Sequence, residues 1–205
     1  MPRLGTLAVF AWLAVLIVRV PEAPATVAEQ RARLPPAVEC ENPVAGKWRA
    51  LLYSFITGGR WTEWTLDINV DPSDETKLVG TIYVDSWRGD PSTPEQPMPC
   101  IDHFKGKMDA TGSFVDGRVA VDGGPWQHTD QICGDPTLYN PDHFTGTIET
   151  ERQEFQSVNN DGGAAVNQVT VFRRIGCQAE KPMTPRRDVK PPAFFPKSAR
   201  RSGGC

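Results

Sequence analysis

Between Cys40 and Cys177 the sequence is a succession of short extended runs, each closed by a strong turn signal, and that punctuation argues against long helical bundles and doubly wound α/β cores. Eight runs are expected. The first, Lys47 to Ile56, stops at Thr57-Gly58-Gly59. The second, Arg60 to Val70, alternates Trp64, Leu66, Ile68 and Val70 with Glu63, Thr65, Asp67 and Asn69, the period of a half-buried strand whose even-numbered face points inward. Asp71-Pro72-Ser73-Asp74-Glu75 turns the chain into the third, Lys77 to Trp87, where Leu78, Ile82 and Val84 share a face. After a long loop comes His103 to Asp109. Thr111 to Val115 and Arg118 to Asp122 then flank Asp116-Gly117, a two-residue hairpin pair suited to positive φ. Phe144 to Phe155 and Ala165 to Ile175 complete the set, joined across Asn159-Asn160-Asp161-Gly162-Gly163. The composition agrees: 19 Pro and 18 Gly make 18% of 205 residues, against roughly 12% in ordinary soluble proteins.

Three glycines, Gly80, Gly106 and Gly146, fall inside these runs, and a short element repeats around the last two. Asp102-His103-Phe104-Lys105-Gly106 returns as Asp142-His143-Phe144-Thr145-Gly146. The unequal spacing excludes a solenoid. A glycine on the apolar face of a strand relieves crowding where the strand bends, as at the corners of a closing barrel. The expected fold is all-β, a single antiparallel eight-stranded barrel closed by disulfides, with a two-sheet β-sandwich as the alternative.

The ends set the compartment. Met1-Pro2-Arg3, the apolar run Leu4 to Val18 and the small-x-small Ala23-Pro24-Ala25 read as a secretory signal peptide over residues 1–25. Residues 26–43 are an N-terminal extension, 44–177 the barrel domain, and 178–205 a disordered, basic, Pro-rich tail. Residues 26–177 carry 13 Lys plus Arg against 22 Asp plus Glu, a net charge of −9, whereas the tail is +5. An acidic body argues against nucleic acid as a partner. No second apolar run is long enough to span a membrane. The protein is therefore expected to be secreted or periplasmic.

Export changes how the cysteines are read. Four cysteines allow three pairings; the expected one joins Cys40 to Cys177, which flank the first and last runs, and Cys100 to Cys133, leaving Cys205 over. Zinc is not expected, since no C-x₂₋₄-C spacing occurs.

Gly46-Lys47-Trp48 opens the first run, and Arg173-Arg174 lies late in the last, before Ile175-Gly176-Cys177. This pattern resembles the calycin superfamily, the lipocalin and avidin kind of barrel, over residues 44–177. The resemblance implies a cation–π contact between Trp48 and an arginine sealing the closed end, and a small apolar ligand in the cup. A disulfide tying the segment before the first strand to the segment after the last also resembles some lipocalins.

Aromatic residues crowd the first three runs. Trp64, Tyr53, Trp61, Tyr83 and Trp87 are the expected ligand-lining set, with Trp64 facing the cavity and Trp61 at the rim; the same residues suit a plain core, and both faces of the first strand read as buried. His103, His128 and His143 are tested as ligands of a metal-dependent enzyme, but no H-x-H or H-E-x-x-H pattern occurs, and His103 and His143 would face outward. No G-x-S-x-G elbow is present. Arg88-Gly89-Asp90 resembles an adhesion tripeptide. The expectation is a non-catalytic, cofactor-free binder of a small apolar or aromatic molecule. Its alternatives are an extracellular structural or protein-interaction domain with a solid core, and the His-based enzyme. The mid-strand glycines discriminate: an opened cavity beside Trp64 favours the binder, a filled space the solid core.

Overall fold

The computed structural model describes residues 25–95, 97–98, 102–133, 139–158, 160, 162 and 167–178. The expected signal peptide and basic tail, except for their last and first residues, lie outside the described residues, and so does Cys100 of the second expected bridge.

One helix, α1 (Val27–Arg33), precedes nine strands: β1 (Gly46–Ser54), β2 (Arg60–Asp71), β3 (Asp74–Arg88), β4 (His103–Val115), β5 (Arg118–Gly123), β6 (Gln127–Cys133), β7 (His143–Glu149), β8 (Glu154–Val158) and β9 (Val169–Gly176). Eight of them close an antiparallel barrel in the order β1-β2-β3-β4-β5-β7-β8-β9, with β9 returning to β1. The ninth, β6, stands outside the ring. It pairs with β4 over His103–Lys107, while β5 takes the same edge of β4 over Ala110–Val115.

The barrel is the expected one, but its strands are divided differently. His103 to Val115 is one continuous strand, not two runs. Phe144 to Phe155 is two strands, because Thr150–Gln153 turns the chain with Gln153 at φ 52°, a left-handed turn made without the glycine that would have signalled it. The segment Gln127–Cys133, outside the eight expected runs, is a strand; it follows β5 along the same edge of β4, and its mostly exposed polar residues give no apolar alternation to read. Asp116 and Gly117 turn the expected hairpin with φ of 50° and 77°.

The inward faces build one core. Trp48, Ala50 and Leu52 of β1, Trp64, Leu66 and Ile68 of β2, Ile82 and Val84 of β3 and Met108 of β4 form one cluster with Phe144, Phe155 and Phe172. Phe155 stacks on Phe172 with ring centroids 4.8 Å apart. At one end Trp48 donates its indole N–H to the Val44 carbonyl at 2.9 Å, and the Arg174 guanidinium lies 4.5 Å over its ring. Arg174 also donates to the Asn42 and Pro43 carbonyls, so its charge is buried but hydrogen-bonded. Desolvation lowers its pKa. This is the seal that the calycin resemblance implies. Beside it a disulfide joins Cys40 to Cys177, Cα atoms 5.5 Å apart across 137 residues of chain.

A second apolar cluster lies outside the barrel, where Leu34 covers Leu51, Tyr53, Trp61, Trp87 and Val171. The N-terminal extension supplies this cover, and both faces of β1 are buried as expected. Its helix starts at a capping box: Thr26 Oγ1 accepts the Glu29 N–H at 3.3 Å, and a Glu29 carboxylate oxygen accepts the Thr26 N–H at 2.7 Å.

Candidate functional site

The end of the barrel away from Trp48 is where a cup would open, and aromatic side chains fill it. The Trp126 ring occupies the space that a Cβ on Gly106 would need. Phe104 stands 5.9 Å and Tyr139 4.8 Å from it, centroid to centroid. Trp64 donates its indole N–H to Asp142 Oδ2 at 3.0 Å, and Tyr139 donates to Asp142 Oδ1 at 3.3 Å, so this fully buried carboxylate ties the plug together. At Gly80 and Gly146 a Cβ would strike the carbonyls of Asp67 and Gln156 on neighbouring strands. These glycines admit close backbone approach and open no space.

The aromatic set expected to line a ligand site divides between two faces. Trp64 alone faces the interior. Tyr53, Trp61 and Trp87 gather on the outer wall beneath the N-terminal extension, with the Arg33 guanidinium 5.0 Å over the Trp61 ring. Trp61 donates to the Asp90 carbonyl at 2.8 Å and is fully buried there rather than at the rim. Tyr83, on the same outer wall, is 46% exposed.

The three histidines stay apart in function. His103 Nε2 meets Asp85 at 2.8 Å, His143 Nδ1 meets Asp122 at 3.0 Å, and His128 packs against Phe104 and Trp126. Among the described residues no three His, Cys, Asp or Glu side chains are grouped to hold a metal ion. In the Arg88-Gly89-Asp90 tripeptide, Arg88 pairs with Asp102 at 3.2 Å, and the Asp90 carboxylate accepts the Ser92 N–H at 2.8 Å.

The outer wall carries the site that the sequence reading missed. Odd-numbered residues of β2 to β4 project outward in register, Glu63 opposite Asp85 and Asp85 opposite Lys105. Glu63 accepts a hydrogen bond from Arg49 at 2.5 Å, and Asp85 accepts from Lys105 at 2.9 Å. The bond to Asp85 raises the Lys105 pKa against a smaller desolvation effect. Around this row opens a groove of about 440 Å³ walled by Trp87 and His103 on one side and by Pro94 and Pro97 on the other. Three of its lining residues, Arg33, Arg49 and Trp87, each keep a buried N–H with no hydrogen-bond partner. Trp87 itself is 7% exposed. These N–H groups are sealed from solvent, so it is the rest of each side chain that lines the groove. The outward charges of β2 and β4 read in the sequence as a solvated face; the clue lay in Trp61 and Trp87, which fall on that same outward parity.

Each carboxylate in the row is held by a cation, so the groove presents fixed donors and acceptors of both signs and no nucleophile–base pair. No protein-family model matches this chain, and neither a curated protein nor a solved structure is similar to it.

Proposed function

We propose that this chain is an exported, non-catalytic binding domain on a calycin-like barrel, and that it meets its partner on the outer wall and not in an interior cup. The carrying observation is the filled position at Gly106, where the Trp126 ring takes the space beside the glycine, set against an open groove beside Trp87 lined by charges of both signs. The Cys40–Cys177 bridge supports export, because disulfides persist in oxidising compartments. Among the described residues no helix is long and apolar enough to cross a membrane.

Native mass spectrometry of the chain expressed in its own host tests this reading. A retained small molecule or protein is expected as added mass, lost in Lys105→Ala and kept in Trp126→Ala. The opposite pattern would move the site into the barrel, and absence of any added mass or partner would sink the reading.

One observation favours a second reading, an aromatic ligand in the mouth. The Trp126 indole N–H is buried without a partner, so this ring of the plug is held by packing against Phe104 and Tyr139 and not by a hydrogen bond of its own. Trp126→Gly with added indole tests it: a ligand-dependent rise in Tm supports a latent cup, and no rise removes it.

A further inference from the structure

The groove beside Trp87 does not end at Lys105. A second groove of about 210 Å³ continues from it, sharing Glu63, Asp85 and Lys105 and running on past Thr65 and Tyr83 to Thr129. Together they form one trough along the outward face of β3. Tyr83, Asp85 and Trp87 alternate on that face, which puts Tyr83 and Trp87 about 13 Å apart at the strand rise of roughly 3.3 Å per residue. The occupant is therefore elongated.

The lining charges balance. Arg33, Arg49 and Lys105 stand against Glu63, Asp85 and Glu95. A polyanion or a polycation would meet like charges along half of this wall, and an apolar chain would strip water from paired ions without replacing its hydrogen bonds. What matches is a neutral molecule with donors and acceptors along its whole length and an apolar face for the half-exposed Tyr83 ring.

An extended peptide is also neutral and polar, but the binding mode that uses its backbone, strand addition, needs a free sheet edge. Here β2, β3 and β4 are each paired on both sides along the trough, so their backbone groups are spent in the ladders and only side chains are offered. We infer that the trough along Tyr83, Asp85 and Trp87 is a binding site for a linear, neutral oligosaccharide. This deepens the outer-wall reading and rests on it.

The test titrates the full chain with maltotriose, cellotriose, N-acetylchitotriose and mannotriose, with trigalacturonate as the charged control and a capped triglycine as the peptide control. Binding is followed by NMR at the Trp87 indole N–H, assigned by its loss in Trp87→Phe. At about 10 mM, where even a Kd of about 1 mM saturates, at least one neutral trisaccharide is expected to move that signal. Tyr83→Ala, an exposed change that leaves the other amide signals in place, is expected to weaken the binding about tenfold. The inference is overturned if no neutral trisaccharide moves the signal, if either control binds more tightly, or if Tyr83→Ala leaves the affinity unchanged. Should the trisaccharides fail while a mass retained from the host still depends on Lys105, the saccharide inference falls and the outer wall stands. If that mass is independent of Lys105, the outer wall falls too.

Discussion

Gln30 hydrogen-bonds to β9 as a strand would: its side-chain oxygen accepts the Val171 N–H at 2.9 Å, and its side-chain nitrogen donates to the Val169 carbonyl at 2.8 Å. The pairing of β1 with β9 reaches only from Lys47 to Arg49, after which the two strands part. One amide on a short helix thus completes a ladder that the barrel leaves open, and the buried backbone groups of β9 are satisfied. The capping box at Thr26 and the pair between Arg31 and Glu154 at 2.7 Å hold the helix in place to do so.

Gln30→Ala should therefore cost more than an ordinary helix substitution. It strips the buried Val171 N–H and the part-buried Val169 carbonyl of their partners, a loss of about 2 kcal/mol by the usual penalty of roughly 1–3 kcal/mol for an unmet buried group. Urea unfolding reads the global loss, and amide hydrogen exchange at Val171 reads the local one. A variant as stable as the parent, with Val171 still protected, would mean that the gap is closed by something other than Gln30.

At the sealed end the prediction concerns coupling. Arg174 and Trp48 are each 1% exposed, and the guanidinium faces both the ring and two carbonyls. Arg174→Lys keeps the charge but loses the planar fork that serves ring and carbonyls together, so about 2 kcal/mol of stability should go. A double-mutant cycle with Trp48→Phe should give a coupling of about 1 kcal/mol. Additive losses in that cycle would reduce the contact to mere proximity.

The fold was readable where one residue's neighbours in sequence are also its neighbours in space. The alternation Trp64, Leu66, Ile68 set the inward face of β2, and Asp116-Gly117 fixed the hairpin between β4 and β5. Reading failed where the deciding partner is distant. Gln153 turns the chain without a glycine, and β6 carries mostly exposed polar residues with no apolar alternation. The candidate site was the least legible part, for the same reason: parity puts Trp87 on the outward face, but its burial there depends on the cover supplied by Leu34 from the N-terminal extension, distant in sequence. Gly106 announced that something must fit against it without naming Trp126.

Acid should loosen the N-terminal cover before the barrel. Glu29 has its pKa lowered, first by the backbone hydrogen bond it accepts from Thr26 and then by the Thr26 hydroxyl. A carboxylate whose folded pKa lies below its unfolded value of about 4.3 contributes stability that is fully present above that value and is lost as pH falls through the folded pKa. Protonation removes the acceptor, the capping box opens, and α1 loses its start. Since α1 carries Gln30, the gap between β1 and β9 is exposed next. Hydrogen exchange followed from about pH 6 down to about pH 3, corrected for intrinsic rates, should show protection at Glu29 and Val171 falling together, below about pH 4.3. Glu29→Gln should make that loss flatter with pH, because its amide oxygen keeps an acceptor that does not titrate. If Val171 instead exchanges independently of α1 across this range, the helix does not hold the seam.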